Sequence, residues 1–196
     1  MRVVTVLRRH QLLLLYALLF ALPLTGCSSL GSKKDAATSP PKLTSLPVAT
    51  LRAMAMDIEA QIKAGNRESN LENREGIVLE APEIVQAVRT RAARAELISK
   101  FLDSGHGWER RRGTLWIIRS VEYKVAGTRR TRDIDALTVN SENLDRRALY
   151  GGIIKQSGLP SKYLSEVEEI FYEARVALMK PGQKYEGMDG ETLIKE

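Results

Sequence analysis

The chain has 196 residues, 30 of them lysine or arginine against 24 acidic residues, for a formal net charge of +6. One cysteine excludes a disulfide framework, and with only two histidines it falls short of a tetrahedral His/Cys zinc site. A hydrophobic share of 43% with 6% aromatics bounds the fold to one small domain with a modest core.

The N-terminus has the three parts of a secretory signal. Arg2, Arg8, Arg9 and His10 form a basic region, and residues 12–22 follow without a charge. Pro23 ends any helix that run would form. Leu24-Thr25-Gly26-Cys27 then matches the lipobox read by lipoprotein signal peptidase. The apolar run is shorter than the roughly 20 residues a spanning helix needs, so residues 1–26 are expected to be removed and Cys27 to be lipidated. Acylation also accounts for a lone cysteine in an exported chain, where a free thiol is prone to oxidation or intermolecular pairing. Ser28 follows, where an aspartate commonly retains lipoproteins at the inner membrane. The expected location is therefore the outer membrane, facing the periplasm. Loss of Arg2, Arg8 and Arg9 leaves 27 basic against 24 acidic residues, a net +3. Compartment and charge together disfavour nucleic acid as a partner.

Residues 27–50 are rich in Ser, Lys, Thr, Ala and Pro and read as a flexible tether. Residues 51–64 place Leu51, Met54, Ala55, Ile58 and Ile62 at helical spacing, stopped by Gly65. Residues 66–75 are polar and read as a loop. A second helix is predicted over 82–104, with Ile84, Val85, Val88, Ala92, Ala95, Ile98, Phe101 and Leu102 on the buried face. Arg89, Arg91, Arg94 and Lys100 are expected on its polar side. Pro82 suits the first turn and Gly105 the end. Alternation of Leu115, Ile117, Val121, Tyr123 and Val125 predicts a strand over 115–125, and residues 126–132 an exposed connection.

Helical period returns over 140–156, and again from Ser161 to about Met179, with Tyr163, Val167, Ile170, Phe171, Ala174 and Leu178 as the buried stripe. The short joint between them predicts an αα-hairpin. Residues 184–194 predict a small β-hairpin about a turn containing Asp189-Gly190. The expected fold is thus mainly α with a minor β component, an α+β domain over 51–196.

The stretch 139–150, with Gly158, Lys180-Pro181-Gly182-Gln183-Lys184-Tyr185 and Asp189-Gly190, resembles the C-terminal half of the YdbL-like proteins, small exported bacterial proteins. Gly105, Glu109, Gly113 and Leu115 resemble the family's glycine-bounded turn into a short apolar segment, so the resemblance covers residues 81–196. The chain departs from the family at Trp108, where a glycine is usual, and at Arg110, Arg111 and Arg112, where apolar or aromatic residues are usual. The resemblance implies an accessory role in the envelope beside an AsmA-like lipid-bridge protein, and it brings no catalytic motif.

The residues themselves point to little chemistry. His106 between two glycines reads as a turn, since no G-x-S-x-G elbow accompanies it. Glu166, Glu168, Glu169 and Glu173 on one helix read as a solvated face rather than the opposed carboxylates of a glycosidase. Arg110, Arg111, Arg112, Arg129, Arg130 and Arg132 flank the predicted strand, and a hairpin-like return is expected to gather them into an anion-binding cluster. The expected function is a non-enzymatic, lipid-anchored periplasmic accessory protein, without cofactor or metal, that docks a partner envelope protein. Binding of anionic lipid head groups through the arginines is the alternative, and a cell-wall or lipid hydrolase the second.

Overall fold

The computed structural model describes residues 43–196, so the signal segment and most of the predicted tether lie outside the described residues. Leu46 is already buried and helix α1 begins at Val48 (Val48–Lys63), so the folded part starts a few residues before the boundary predicted at residue 51. Its buried positions are the predicted Leu51, Met54, Ala55, Ile58 and Ile62, joined by Glu59. Gly65, at φ +72, ends it. The polar loop that follows is pinned by Asn73, whose side-chain oxygen accepts from the backbone N–H groups of Leu79 and Glu80. Leu71, Ile77 and Leu79 turn inward from this loop.

Helix α2 (Pro82–Asp103) begins on its proline and is followed by Gly105 at φ +73, as the sequence predicts. Next comes a hairpin of β1 (Gly107–Arg110) and β2 (Thr114–Ile117), paired antiparallel with Trp108 opposite Trp116. The predicted strand over 115–125 is therefore corrected at both ends. β1 precedes it, and beyond Ile117 the chain becomes helix α3 (Val121–Ala126). Ser120 decides the switch, because its hydroxyl caps the helix by accepting from the Tyr123 N–H. Alternating valines suit a strand, but only Tyr123 of this set is buried, while Val121 and Val125 remain exposed. Residues 126–132 are likewise not simply a connection. Thr128 caps α4 through the Thr131 N–H, and α4 runs over Arg129–Gln156, starting eleven residues before the predicted helix.

Gly158 at φ +63 and Pro160 turn the chain through a short 3-10 segment (Ser161–Tyr163) into α5 (Leu164–Ala177). The tight joint is as predicted, but the two helices it links pack mainly on others: α4 lies along α2, and α5 along α1. The larger apolar core fills the space among these four helices, with Ile84, Leu149, Ile153, Val167 and Phe171 at its centre. A smaller core of Phe101, Leu102, Leu115, Tyr123 and Val139 lies under the first hairpin.

The predicted C-terminal hairpin forms from β3 (Lys184–Glu186) and β4 (Thr192–Ile194), with Gly190 in its turn at φ +82. β3 also pairs parallel with β1, so two hairpins distant in sequence fuse into one sheet of order β2-β1-β3-β4. The protein is mainly helical with this small sheet as its β component, the predicted fold class. One edge of the sheet is covered. The Asn143 side chain accepts from the Leu115 N–H at 2.8 Å and donates to the Leu115 carbonyl at 2.9 Å, mimicking a neighbouring strand. Asn143→Ala should cost about 1–3 kcal/mol, because both backbone groups of a fully buried residue lose their partner; chemical denaturation measures it, and an unchanged midpoint would show water replacing the amide.

Candidate functional site

Charged residues stand at core-facing positions of every long element. On α1, Glu59 shares the face of Ala55 and Ile62; on α2, Arg91 follows Ala87 and Val88. On α4, Glu142 and Arg146 lie one turn apart in the stripe of Val139, Leu149 and Ile153. Arg175 follows Phe171 and Ala174 on α5, and Glu109 is an inward position of β1. Helical and strand periodicity thus drive six charges into the interior, and the fold brings them to one place.

There they form a closed network. Arg91 makes a bidentate pair with Glu59 at 2.9 and 2.8 Å, and its Nε donates to Glu142 at 2.8 Å. Arg146 makes a second bidentate pair with Glu109 at 2.7 and 2.8 Å, and its Nε donates to the same Glu142 oxygen at 2.9 Å. Arg175 closes the ring, with Nε donating to Glu109 at 3.1 Å and Nη1 donating to Glu59 at 3.1 Å and to the Tyr150 hydroxyl at 2.7 Å. Arg94, at the edge, donates to the second oxygen of Glu142 and pairs with Asp145. Three guanidinia face three carboxylates, so the buried charge is balanced, as it must be where unpaired ions cost several kcal/mol each.

Burial pushes a carboxyl toward its neutral form, but here the neighbouring arginines prevail. Glu142 is brought down to about 2 by Arg91 and Arg146 against its desolvation, and Glu109 is lowered by Arg146 and Arg175 in the same way. The Tyr150 phenol is pushed up by burial. Beside the network Gly113, at φ +68, passes so close that a Cβ there would sit 2.8 Å from the Tyr150 ring.

The residues singled out in the sequence are placed differently. Cys27 lies outside the described residues. Arg110, Arg111 and Arg112 occupy the end of β1 and its turn. Arg146, opposite that turn, donates to the Gly113 carbonyl. Arg129 stands 17 residues earlier on the same helix, about 25 Å away at 1.5 Å per residue. The expected gathering of Arg110 to Arg112 with Arg129, Arg130 and Arg132 does not occur, because the segment after Ile117 leads outward through α3 rather than back as a strand. Arg110 is paired with Glu186 at 2.9 Å, and Arg111 with Glu169. Arg132 donates to the Lys124 and Gly127 carbonyls, while Arg112, Arg129 and Arg130 are exposed. Arg91, expected on the polar side of its helix, is 1% exposed. The glutamates of α5 are also not a uniformly solvated face, since Glu169 holds Arg111 and Glu173 pairs with Arg52. His106 packs edge-on to Tyr123 at 5.2 Å.

No family model, curated protein or solved structure matches the chain.

The network makes two measurable demands on stability. Glu109→Gln leaves Arg146 and Arg175 short of a counter-charge in the interior and should cost about 3–5 kcal/mol. Glu173→Gln, at a half-exposed pair, should cost under about 1 kcal/mol by the same denaturant titration. Equal effects at the two sites would contradict the burial argument. The folded-state values of Glu142 and Glu109 lie below the ordinary 4.5, so their stabilisation is fully present above that pH and is lost as pH falls through the folded values, about 2 for Glu142. Thermal midpoints should therefore hold between pH 5 and 8, as approximate bounds, and fall steadily below about 4.5.

Proposed function

We propose that this chain is a lipid-anchored, non-enzymatic accessory protein of the cell envelope, of YdbL-like type, which docks a partner envelope protein with the outer face of its sheet. The observation that carries the reading is the composition of that face. The strand registers put Trp108, Trp116, Lys184 and Ile194 side by side, on the face opposite the buried Glu109 and Leu115. Trp116 is 49% exposed and Ile194 60% exposed. The Arg110 guanidinium lies over both indoles, 4.5 Å from the Trp116 ring centre and 5.4 Å from that of Trp108, held by Glu186.

Tryptophan and arginine dominate the energetic centres of protein interfaces, and a pre-ordered stack loses little side-chain entropy on docking. β4 is the outermost strand on the side that Asn143 does not cover, which offers the partner a backbone edge beside the aromatic face. The residues carrying the YdbL-like resemblance support the same reading from within. Glu109 and Arg146 meet in the network, and Gly113 meets Tyr150, so they shape the scaffold that presents the face.

Cys27 supplies the attachment in this proposal, at the outer membrane and facing the periplasm. Acyl chains confine the domain to the bilayer surface and raise its effective concentration near a membrane partner without any added contact. The resemblance nominates an AsmA-like lipid-bridge protein as that partner.

Photo-crosslinking from position 116 in cells should trap such a protein, and crosslinking from Leu97, on α2, should not. Trp116→Ala combined with Ile194→Asp should lower co-purification tenfold or more, since each tenfold is about 1.4 kcal/mol and interface anchors commonly exceed that. Cys27→Ser should abolish acyl labelling and release the protein from the membrane fraction. Retained acylation would overturn the anchor, and crosslinking indifferent to position would overturn the docking face.

A further inference from the structure

Helix α4 has two faces. Val139, Glu142, Arg146, Leu149 and Ile153 turn toward the body of the protein and are buried. Successive residues rotate by about 100°, so the opposite side carries Ile134, Leu137, Ser141, Leu144 and Ala148, at steps of 3, 4, 3 and 4. Ile134 is 48% exposed, Leu137 67% and Leu144 52%, and Ala148 is exposed with them. Single apolar side chains on a surface are ordinary. A 3-4 repeat kept up over about 21 Å of one helix instead has the spacing of a seam between two packed helices.

The borders of the stripe select what covers it. Asp133 and Arg147 lie on the same border, two heptads apart, with Asn140 midway between them. A two-fold axis near Asn140 therefore lays Asp133 against Arg147 of a second copy, and Arg147 against its Asp133. The same operation sets Ile134 on Leu144 and Leu137 beside Ser141, a large side chain facing a small one. Within one chain Asp133 has Arg129 only loosely, at 4.0 Å. A parallel pairing would stack Arg130, which extends the stripe by one turn, on Arg130 of the other copy, and like charges there repel. A lipid surface fits less well, because helices seated among head groups are edged with lysine and arginine, whereas Asp133 and Asp145 border this stripe.

We propose that the outer face of α4 is a self-association surface, on which a second copy of this chain docks with its own α4 antiparallel. The two apolar stripes form the seam, and two Asp133–Arg147 pairs, one at each end, fix direction and register. Closed two-fold symmetry stops the assembly at a dimer. The surface shares no residue with the outer face of the sheet, so it stands or falls independently of the docking partner and of the anchor.

Disulfide trapping in envelope membranes from cells making the full chain tests the surface. Asn140→Cys, beside the two-fold axis, should give a self-linked dimer under mild oxidation. Its yield should exceed about tenfold both that of the parent chain, which controls for Cys27, and that of Glu72→Cys in the exposed α1–α2 loop. Leu137→Asp, added to Asn140→Cys, should lower the yield about tenfold or more. The thermal midpoint of the purified full chain should stay near the parent's, since Leu137 is exposed. Asp133→Arg or Arg147→Asp, each added in the same way, sets like charges across the seam and should lower the yield about threefold or more. The two reversals together restore opposite charges and should recover it, which no other use of this face would produce. A yield at position 140 no higher than the controls would overturn the proposal, as would trapping of a different protein alone. So would indifference to Leu137→Asp, or no recovery in the double reversal.

Discussion

The ring of Arg91, Glu59, Arg175, Glu109, Arg146 and Glu142 is the constraint around which the rest of this structure is arranged. Five elements each contribute at least one charge, and no element can withdraw its own without leaving an opposite charge buried. An apolar contact tolerates small shifts in register, but a bidentate guanidinium–carboxylate pair requires coplanar groups at hydrogen-bond distance. The network thus fixes the rotation of α1, α2, α4 and α5 about their axes, and ties β1, through Glu109, to the helices behind it. Apolar burial in the surrounding core supplies the drive to collapse. The ion pairs select which collapsed arrangement is reached.

The same constraint explains how so small a sheet exists. Four strands of three or four residues have little stability by themselves. Here Glu109 is held by Arg146 and Arg175, Leu115 by Asn143, and the Glu186 carbonyl by the Tyr172 hydroxyl. Each strand except β4 is therefore fastened to a helix by a side chain. Rigidity behind the sheet keeps Trp108, Arg110 and Trp116 stacked in front of it, as the proposed docking requires.

Local order in this protein comes from hydroxyl caps wherever the apolar pattern is ambiguous. Val121, Tyr123 and Val125 satisfy a strand and a helix about equally well as a list of residue types. Ser120, placed to accept the Tyr123 N–H, tips the balance, and Thr128 does the same for α4. Once α4 starts at Arg129, its first turns project away from the β1–β2 turn. Arg129, Arg130 and Arg132 go with them, which is why arginines near one another in sequence end far apart.

The sequence by itself determined what rests on local periodicity and turn chemistry: helices over most of α1, α2 and α5, the joint at Gly158 and Pro160, the Asp189-Gly190 hairpin, and a mainly helical fold with minor β. Those features depend on neighbours within a few residues, whose side chains state their preference directly. The buried network was legible only as an irregularity, a charge such as Glu59, Arg91 or Arg146 standing where helical spacing calls for an apolar residue. Apart from the i,i+4 pair of Glu142 and Arg146, its partners stand 32 to 116 positions apart, and no local rule assigns those. Tertiary structure alone decided the pairing of α4 with α2 and α5 with α1 and the parallel seam between β1 and β3. Each joins residues far apart in sequence, and the matching of charges that ties these elements together exists only in the assembled fold.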